Sequence, residues 1–528
     1  MAAEPLLDAG DIQGNILAGF NKDHQLLVAL NFRQADGARR WLTRVAPQIS
    51  SLKQVFQFNA LFRTTKSRTK GEPVGLIASW FNIAFSHGAI TKLSSPAEAD
   101  ALPDSSFVAG LGAAQARFLG DLPQDGSLDP TSHWIVGGTD RTPDILVILA
   151  SDRVAQLNEL ADTVLPNPAD DGPDAPQVIW QEMGETRTDL PGHEHFGFKD
   201  GVSQPGVRGL VSQSPDICLT RRTLEARPEG EVDFSRPGQP LIWPGNFVLG
   251  YPYTDRNDGT AQGPAPLAHD WFKNGSFLVF RRLNQNVVGF ARFLVQQAEA
   301  LAKTPGFSGL TPAHLGALLV GRWPSGAPIS RSPAVDDPLL ADDGEANNDF
   351  LFGQDTPAPR FRPRHSACPF PPALEGTNGP ICPHAAHIFK VNPRDLATNV
   401  GPDFDTLTRR ILRRGIPFGP PLADPLAGDD GVERGLHFLC YQASITDQFE
   451  FLQQNWANST GGPKAGGHDV IIGQTPTRVR TIDLQAIIGG HQPETLTAPT
   501  QWIRSTGGGY FFAPSISAVR GRFSKVVS

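Results

Sequence analysis

Three short segments carry residue types that can do chemistry, and they lie far apart in the chain. The first is Gly197-Phe198-Lys199-Asp200-Gly201. Glycines around an aspartate suit a tight turn that brings the backbone close to a ligand and aims one carboxylate. An ordinary Asp-Gly turn has the same letters, so the motif alone is a candidate and no more. The second is Cys382-Pro383-His384-Ala385-Ala386-His387-Ile388, followed by Asn392-Pro393-Arg394. A histidine among small residues lets a flat ring approach closely, and a neutral imidazole is the commonest proximal ligand of haem iron. In a helix His384 and His387 would share one face. A zinc or other metal pair helped by Cys368 and Cys382 therefore stays open, as does one core histidine beside one surface histidine. The third is Arg413-Arg414-Gly415-Ile416-Pro417-Phe418-Gly419. Paired arginines before a stiff Pro turn can hold one guanidinium, which does not titrate in any useful range, over a buried anionic site. A solvated basic patch reads the same way.

The elements that must position these segments alternate between strand and helix. Gln25–Phe32, Gly75–Phe85, Asp144–Ala150 and Gln177–Arg187 are short, apolar and rich in residues that favour strands. Between them, Ala35–Ile49 places Ala38, Trp41, Leu42, Val45 and Ile49 at helical spacing, and Arg153–Leu165 does so with Val154, Leu157, Leu160, Ala161 and Val164. The order β-α-β-β-α-β is the ferredoxin-like motif, and it predicts one antiparallel sheet with helices on one face. The second half begins the same way, with a strand at Asn274–Leu283 and a helix at Val287–Lys303. A Pro/Gly-rich insertion, Thr304 to Glu433, interrupts it. The pattern resumes with a strand at Gly435–Ile445, a helix at Thr446–Ala457 and a strand at Gly508–Ala513. The expected fold is α+β, with two ferredoxin-like domains of antiparallel sheet at residues 1–240 and 241–528, joined through the turn-rich stretch Ser212–Pro244. So long an insertion without structure is improbable in a compact domain, so it is expected to be ordered by something it binds.

Composition narrows the function classes. The chain has 528 residues and a formal net charge of −8, with 39% apolar and 19% charged residues, an ordinary globular balance. No basic footprint for nucleic acid and no basic amphipathic helix for a membrane surface is present. No stretch approaches the roughly 18 unbroken apolar residues of a membrane span. The four cysteines, Cys218, Cys368, Cys382 and Cys440, include no C-x-x-C pair and make no disulfide framework. Reduced thiols, and a start from Met1 to Gly10 without a basic and apolar leader, point to a cytoplasmic protein.

Taken together, the three segments resemble the dye-decolourising peroxidase family, in its larger fungal-like and actinobacterial-like form. Gly197–Gly201 matches the family's G-x-x-D-G motif, CPHAAHI its proximal-histidine segment and RRGIPFG its distal arginine segment. Similarity continues through Asp11–Leu17, Phe247–Pro252, Asn274–Leu283, Gly321–Pro328 and Gly507–Ser515. The resemblance implies haem b held in the C-terminal ferredoxin-like domain. By position it makes His387 the iron ligand and His384 a bystander, Asp200 the distal carboxylate and Arg413 the distal arginine, with Arg414 in reserve. It gives Arg394 a haem-propionate contact, makes Leu436 and Phe438 the apolar wall of the distal pocket, and makes Asp469 the acidic partner of the proximal imidazole. One departure stands out: Phe389 replaces the cation usual two residues after the ligand, leaving Arg394 and Lys390 nearby.

The activity so implied is reduction of hydrogen peroxide with oxidation of dyes, phenolics or similar bulky aromatic donors. A homo-oligomer is compatible with the fold. Haem binding or iron handling with little peroxidase turnover is the alternative. Bulky donors cannot enter a pocket sized for peroxide, so electrons are expected to pass through a surface Trp or Tyr, among nine Trp and four Tyr.

Overall fold

Successive residues of the strand His24–Asn31 (β1) go to opposite sides: Leu27 and Ala29 join one apolar cluster, Val28 and Leu30 another. Ser79–Phe85 (β2) and Ile145–Ser151 (β3) divide in the same way, as strands buried on both faces must. Gln177–Glu185 (β4) completes the first set. Their order is β2-β3-β1-β4, every pairing antiparallel, which is the expected ferredoxin-like sheet. This computed structural model describes residues 5–525 apart from 70, 72, 74, 124–126, 139–140, 213–219, 222–233, 237–238, 345, 353–380 and 490. Cys368 and much of the Ser212–Pro244 joint lie outside the described residues.

The second set repeats the first. Ser276–Gln285 (β5), Leu412–Arg413 (β6), Ile416–Phe418 (β7), Gly435–Gln442 (β8) and Ile503–Ala513 (β9) are again antiparallel, in the order β7-β8-β5-β9 with β6 along the same edge of β8 as β7. The two sheets are not separate layers. Phe512 of β9 pairs with Phe85 of β2, and Phe418 of β7 pairs with Gly184 of β4, so eight strands close into a barrel and leave few edges unpaired. Gly184 sits at this seam because there is no room for more: a Cβ there would meet the Ile416 side chain at 2.4 Å.

Helices Ala35–Val45 and Val154–Val164 cover the sheet with Trp41, Leu42, Val45, Leu157 and Val164. Val154, expected on that face, opens its helix and is 43% exposed. The helix at Leu52–Thr69 carries no mark in the sequence: among its described side chains only Leu52 and Val55 are fully buried, and no apolar stripe runs along it. The strand expected from Gly75 begins at Ser79, because Gly75 turns with φ +87°. Thr446–Ala457 is two successive π-helical turns, Ile445–Glu450 and Leu452–Ala457. The insertion packs onto the rest of the second half: helices Pro312–Val320, Pro338–Asp342 and His387–Val391 share an apolar cluster with Phe290, Phe293 and Trp502 from outside it. No helix of the described residues is long and apolar enough to cross a membrane.

Candidate active site

The loop after β4 is folded by its own side chains. Glu194 accepts from the N–H groups of Phe196 and Phe198 at 2.8 and 2.9 Å, while Arg187 donates to the Glu194 carbonyl at 2.8 Å. Gly197 and Gly201 take φ values of +91° and +73°, which favour glycine, and the Gly201 N–H donates to Asp200 Oδ1 at 2.6 Å. The carboxylate is thus aimed at β6, where Arg413 Nη1 donates to Asp200 Oδ1 at 2.6 Å and Nη2 to the Ser203 carbonyl at 3.1 Å. Both side chains line one large cavity. Asp200 keeps 38% of its side-chain surface open to the cavity; partial desolvation raises its carboxyl, but the Arg413 charge and the Gly201 N–H together outweigh that and hold the group below its ordinary value. Arg414 is not a reserve: its guanidinium donates to the carbonyls of Asn15, Ile16 and Leu17.

On β8, Leu436 and Phe438 face the cavity at alternate positions. His437 between them turns the other way and meets Glu182 at 2.6 Å. His387 lines the cavity as the first residue of its short helix, with Ala385 and Ala386 fully buried before it. His384 precedes the helix, so the two histidines do not share a helical face. It bonds the Ala465 carbonyl through Nδ1 and packs at a tilt against the Phe389 ring. His387 Nδ1 lies 2.7 Å from Asp469 Oδ2, and Asp469 Oδ1 accepts from the Ile471 and Ile472 N–H groups. Burial lowers the His387 pKa, and the Asp469 charge and hydrogen bond raise it by more. Among the described residues no three His, Cys, Asp or Glu side chains form a metal-binding group, so the Cys/His metal reading has no support there.

A third wall is cationic. Arg322 donates to the Gly326 and Asn347 carbonyls and to Asn348 Oδ1, and Arg394 to the Asn348 and Phe350 carbonyls, its guanidinium over the Phe350 ring at 3.6 Å. Arg410 lies on the same cavity. Burial, added to by nearby arginines, pushes all three down to about 9. Buried cations in that condition call for an anion. Arg322 and Arg410 escaped the sequence reading. Lys390 is removed from it, because its ammonium is held by the carbonyls of Ser459 and Gly462. Phe389 is buried against Phe352. The first half also reaches the cavity beyond Asp200: Asp121, paired with Arg281 at 2.7 Å, lines it too.

This geometry has known counterparts. Residues 11–169 match the family model described as the DyP dimeric alpha+beta barrel domain, and residues 377–465 the Dyp-type peroxidase C-terminal model. The dye-decolorizing peroxidase msp1 of Mycetinis scorodonius is 33% identical over 97% of this chain and 87% of its own. The chain belongs to the dye-decolorizing peroxidase family. A solved ancestral D-type dye decolorizing peroxidase is 33% identical, with a TM-score of 0.76 over 99% of this chain and 100% of its own. The fungal DyP-type peroxidase of Auricularia auricula-judae is 29% identical, with a TM-score of 0.72 over 99% and 100%. As a member of the dye-decolorizing peroxidases, the protein is an oxidoreductase acting on peroxide.

The residues present fit haem b. The cavity measures about 270 Å³, against the roughly 10–15 Å³ that holds one water on the same measure. His387 has its Nδ1 engaged by Asp469, which leaves Nε2 as the ring nitrogen for iron, apolar side chains offer flat walls, and buried arginines answer two propionates.

Proposed function

We propose that the protein reduces hydrogen peroxide with haem b held by His387 and takes electrons from dyes, phenolics or similar aromatic donors. The observation that carries the assignment of roles is the 2.6 Å contact between Arg413 and Asp200 on the cavity wall. Haem b, when bound, would supply a redox-active iron and the electrons for O–O cleavage. Asp200, held ionised, takes the proton from the nearer peroxide oxygen and gives it to the departing one. Arg413 stabilises the charge that develops on the departing oxygen, in a pocket that Leu436 and Phe438 line with apolar surface. Asp469 holds the proton on Nδ1 of His387, keeping Nε2 a lone-pair donor and strengthening its donation. Arg394 binds a propionate, and Arg322 and Arg410 share that task.

None of the nine tryptophans is exposed, and Tyr253 is the exposed tyrosine. A surface relay for bulky donors is to be sought among Tyr253 and the half-buried Trp80, Trp180 and Trp271. The same reading divides the chain at 1–240 and 241–528, each part holding one ferredoxin-like strand set. It also places the protein in the cytoplasm, in keeping with the free buried thiols Cys382 and Cys440, and allows a homo-oligomer.

The test is an absorption spectrum of the purified protein before and after hydrogen peroxide. A Soret band that peroxide perturbs and a dye restores is expected. A haem-loaded protein whose spectrum peroxide leaves unchanged contradicts the reading.

A further inference from the structure

Asp200 and Arg413 meet although they stand 213 residues apart, and neither is held by a long element. Asp200 is on a loop, and β6 is two residues long, Arg413 lying opposite Cys440 of β8. Gln204 closes the gap. From the loop that carries Asp200, its Nε2 donates to the Arg413 carbonyl at 3.2 Å, and its Oε1 accepts from the Arg413 N–H at 3.3 Å. One primary amide thus satisfies both main-chain polar groups of one residue, as a neighbouring strand does. The Arg413 side chain returns the tie by donating to Ser203, one residue before Gln204.

We infer that Gln204 is a positioning residue for the distal pair: it splints the strand that carries Arg413 to the loop that carries Asp200 and so sets their contact. The inference rests on the reading of Asp200 and Arg413 as the groups that act on peroxide. Gln204 moves no proton itself. Its effect reaches the reaction through the ionisation of Asp200, which also faces the charges of His387 and Glu194 and, across the cavity, those of Arg322, Arg394 and Arg410. None of these is tied to the Gln204 amide by a described hydrogen bond, so loosening Gln204 alters the Arg413 contribution selectively.

The experiment uses the haem-loaded protein and two readouts. One is the pH dependence of the first step after mixing with peroxide. The other, independent of turnover, is the pH dependence of cyanide binding, because hydrogen cyanide must give up its proton to a distal base when it binds. Gln204→Met keeps the length and removes both hydrogen bonds. Gln204→Asn keeps the amide but is too short to span both groups, and serves if the first variant folds poorly. Each is expected to keep a normal Soret band and haem content and to move the acid limb of both profiles up by roughly 1 pH unit. That is the direction Arg413→Leu takes, and the double variant Gln204→Met/Arg413→Leu should move it no further than Arg413→Leu alone. An acid limb that stays in place in both Gln204 variants while Arg413→Leu moves it overturns the inference, as do additive shifts in the double variant. Loss of haem from both Gln204 variants also overturns it, since Gln204 would then support the cofactor pocket. Profiles left unmoved by Arg413→Leu sink the distal reading itself, and Gln204 with it.

Discussion

His387 donates its Nδ1–H to Asp469 at 2.7 Å, and the carboxylate that receives it has no exposed surface. The other Asp469 oxygen is held by two backbone N–H groups, so this carboxylate is fixed in place before any ligand arrives. Asp469→Asn leaves the ring without an anionic partner. Loss of such a partner typically costs 10–100-fold in metal affinity or activity. A raised reduction potential and faster haem loss are expected, read by spectroelectrochemistry and by haem transfer to an acceptor protein. A variant with the parent potential and the parent haem retention contradicts the proposed role of Asp469.

His387 and His384 separate cleanly in the same way. His387→Ala should lose haem or bind it loosely with an altered spectrum. His384→Ala loses one hydrogen bond to Ala465 and a tilted ring contact with Phe389, and should keep a normal Soret band. The reverse pattern inverts the ligand assignment.

Behind Leu436 and Phe438, the barrel holds a charged network that offers a stability test apart from catalysis. Burial pushes the Glu182 carboxyl up, but the hydrogen bonds from His437 and Arg282 prevail and bring it from 4.5 to about 2. A depressed carboxyl contributes stability above its unfolded pKa and loses it as pH falls through the folded one. Glu182→Gln should therefore cost on the order of 2–3 kcal/mol near neutral pH. The difference from the parent should shrink as pH drops from 4.5 towards about 2. Denaturant unfolding at several pH values measures it, and a difference independent of pH counts against the network.

How much of this was legible beforehand depended on the kind of contact. β1 and β3 announce themselves, because each is a short, nearly unbroken apolar run, as a strand buried on both faces must be. Asp200, His387 and Arg413 sit in short motifs whose neighbours are glycine, alanine and proline, residues that allow a sharp turn, a close approach or a fixed bend. Closure of the barrel was not legible. It depends on Phe85 meeting Phe512 and Gly184 meeting Phe418, and an apolar pattern carries no information about which sheet edges pair. Arg322 and Arg410 resemble any surface arginine until distant segments bury them. Nothing around Gln204 in the sequence marks it, since its partner is more than two hundred residues away. Lys390 and Arg414 were near motif residues in sequence, yet backbone carbonyls elsewhere hold them.

Stopped-flow mixing of the haem-loaded protein with hydrogen peroxide, from about pH 3 to about 7, bears most directly on the distal pair. Asp200 must be ionised to take a proton, and Arg413 holds its pKa below the ordinary carboxyl value. The first step should therefore be fast above that pKa and fail as pH falls through it. Asp200→Asn should slow the step and remove the acid limb. Arg413→Leu should slow it across the whole range, by about 10²–10³-fold if the guanidinium acts as a preorganised donor, and should move the limb upward. Parent rates and a parent profile in both variants would contradict the assignment and place the proton transfer elsewhere in the cavity.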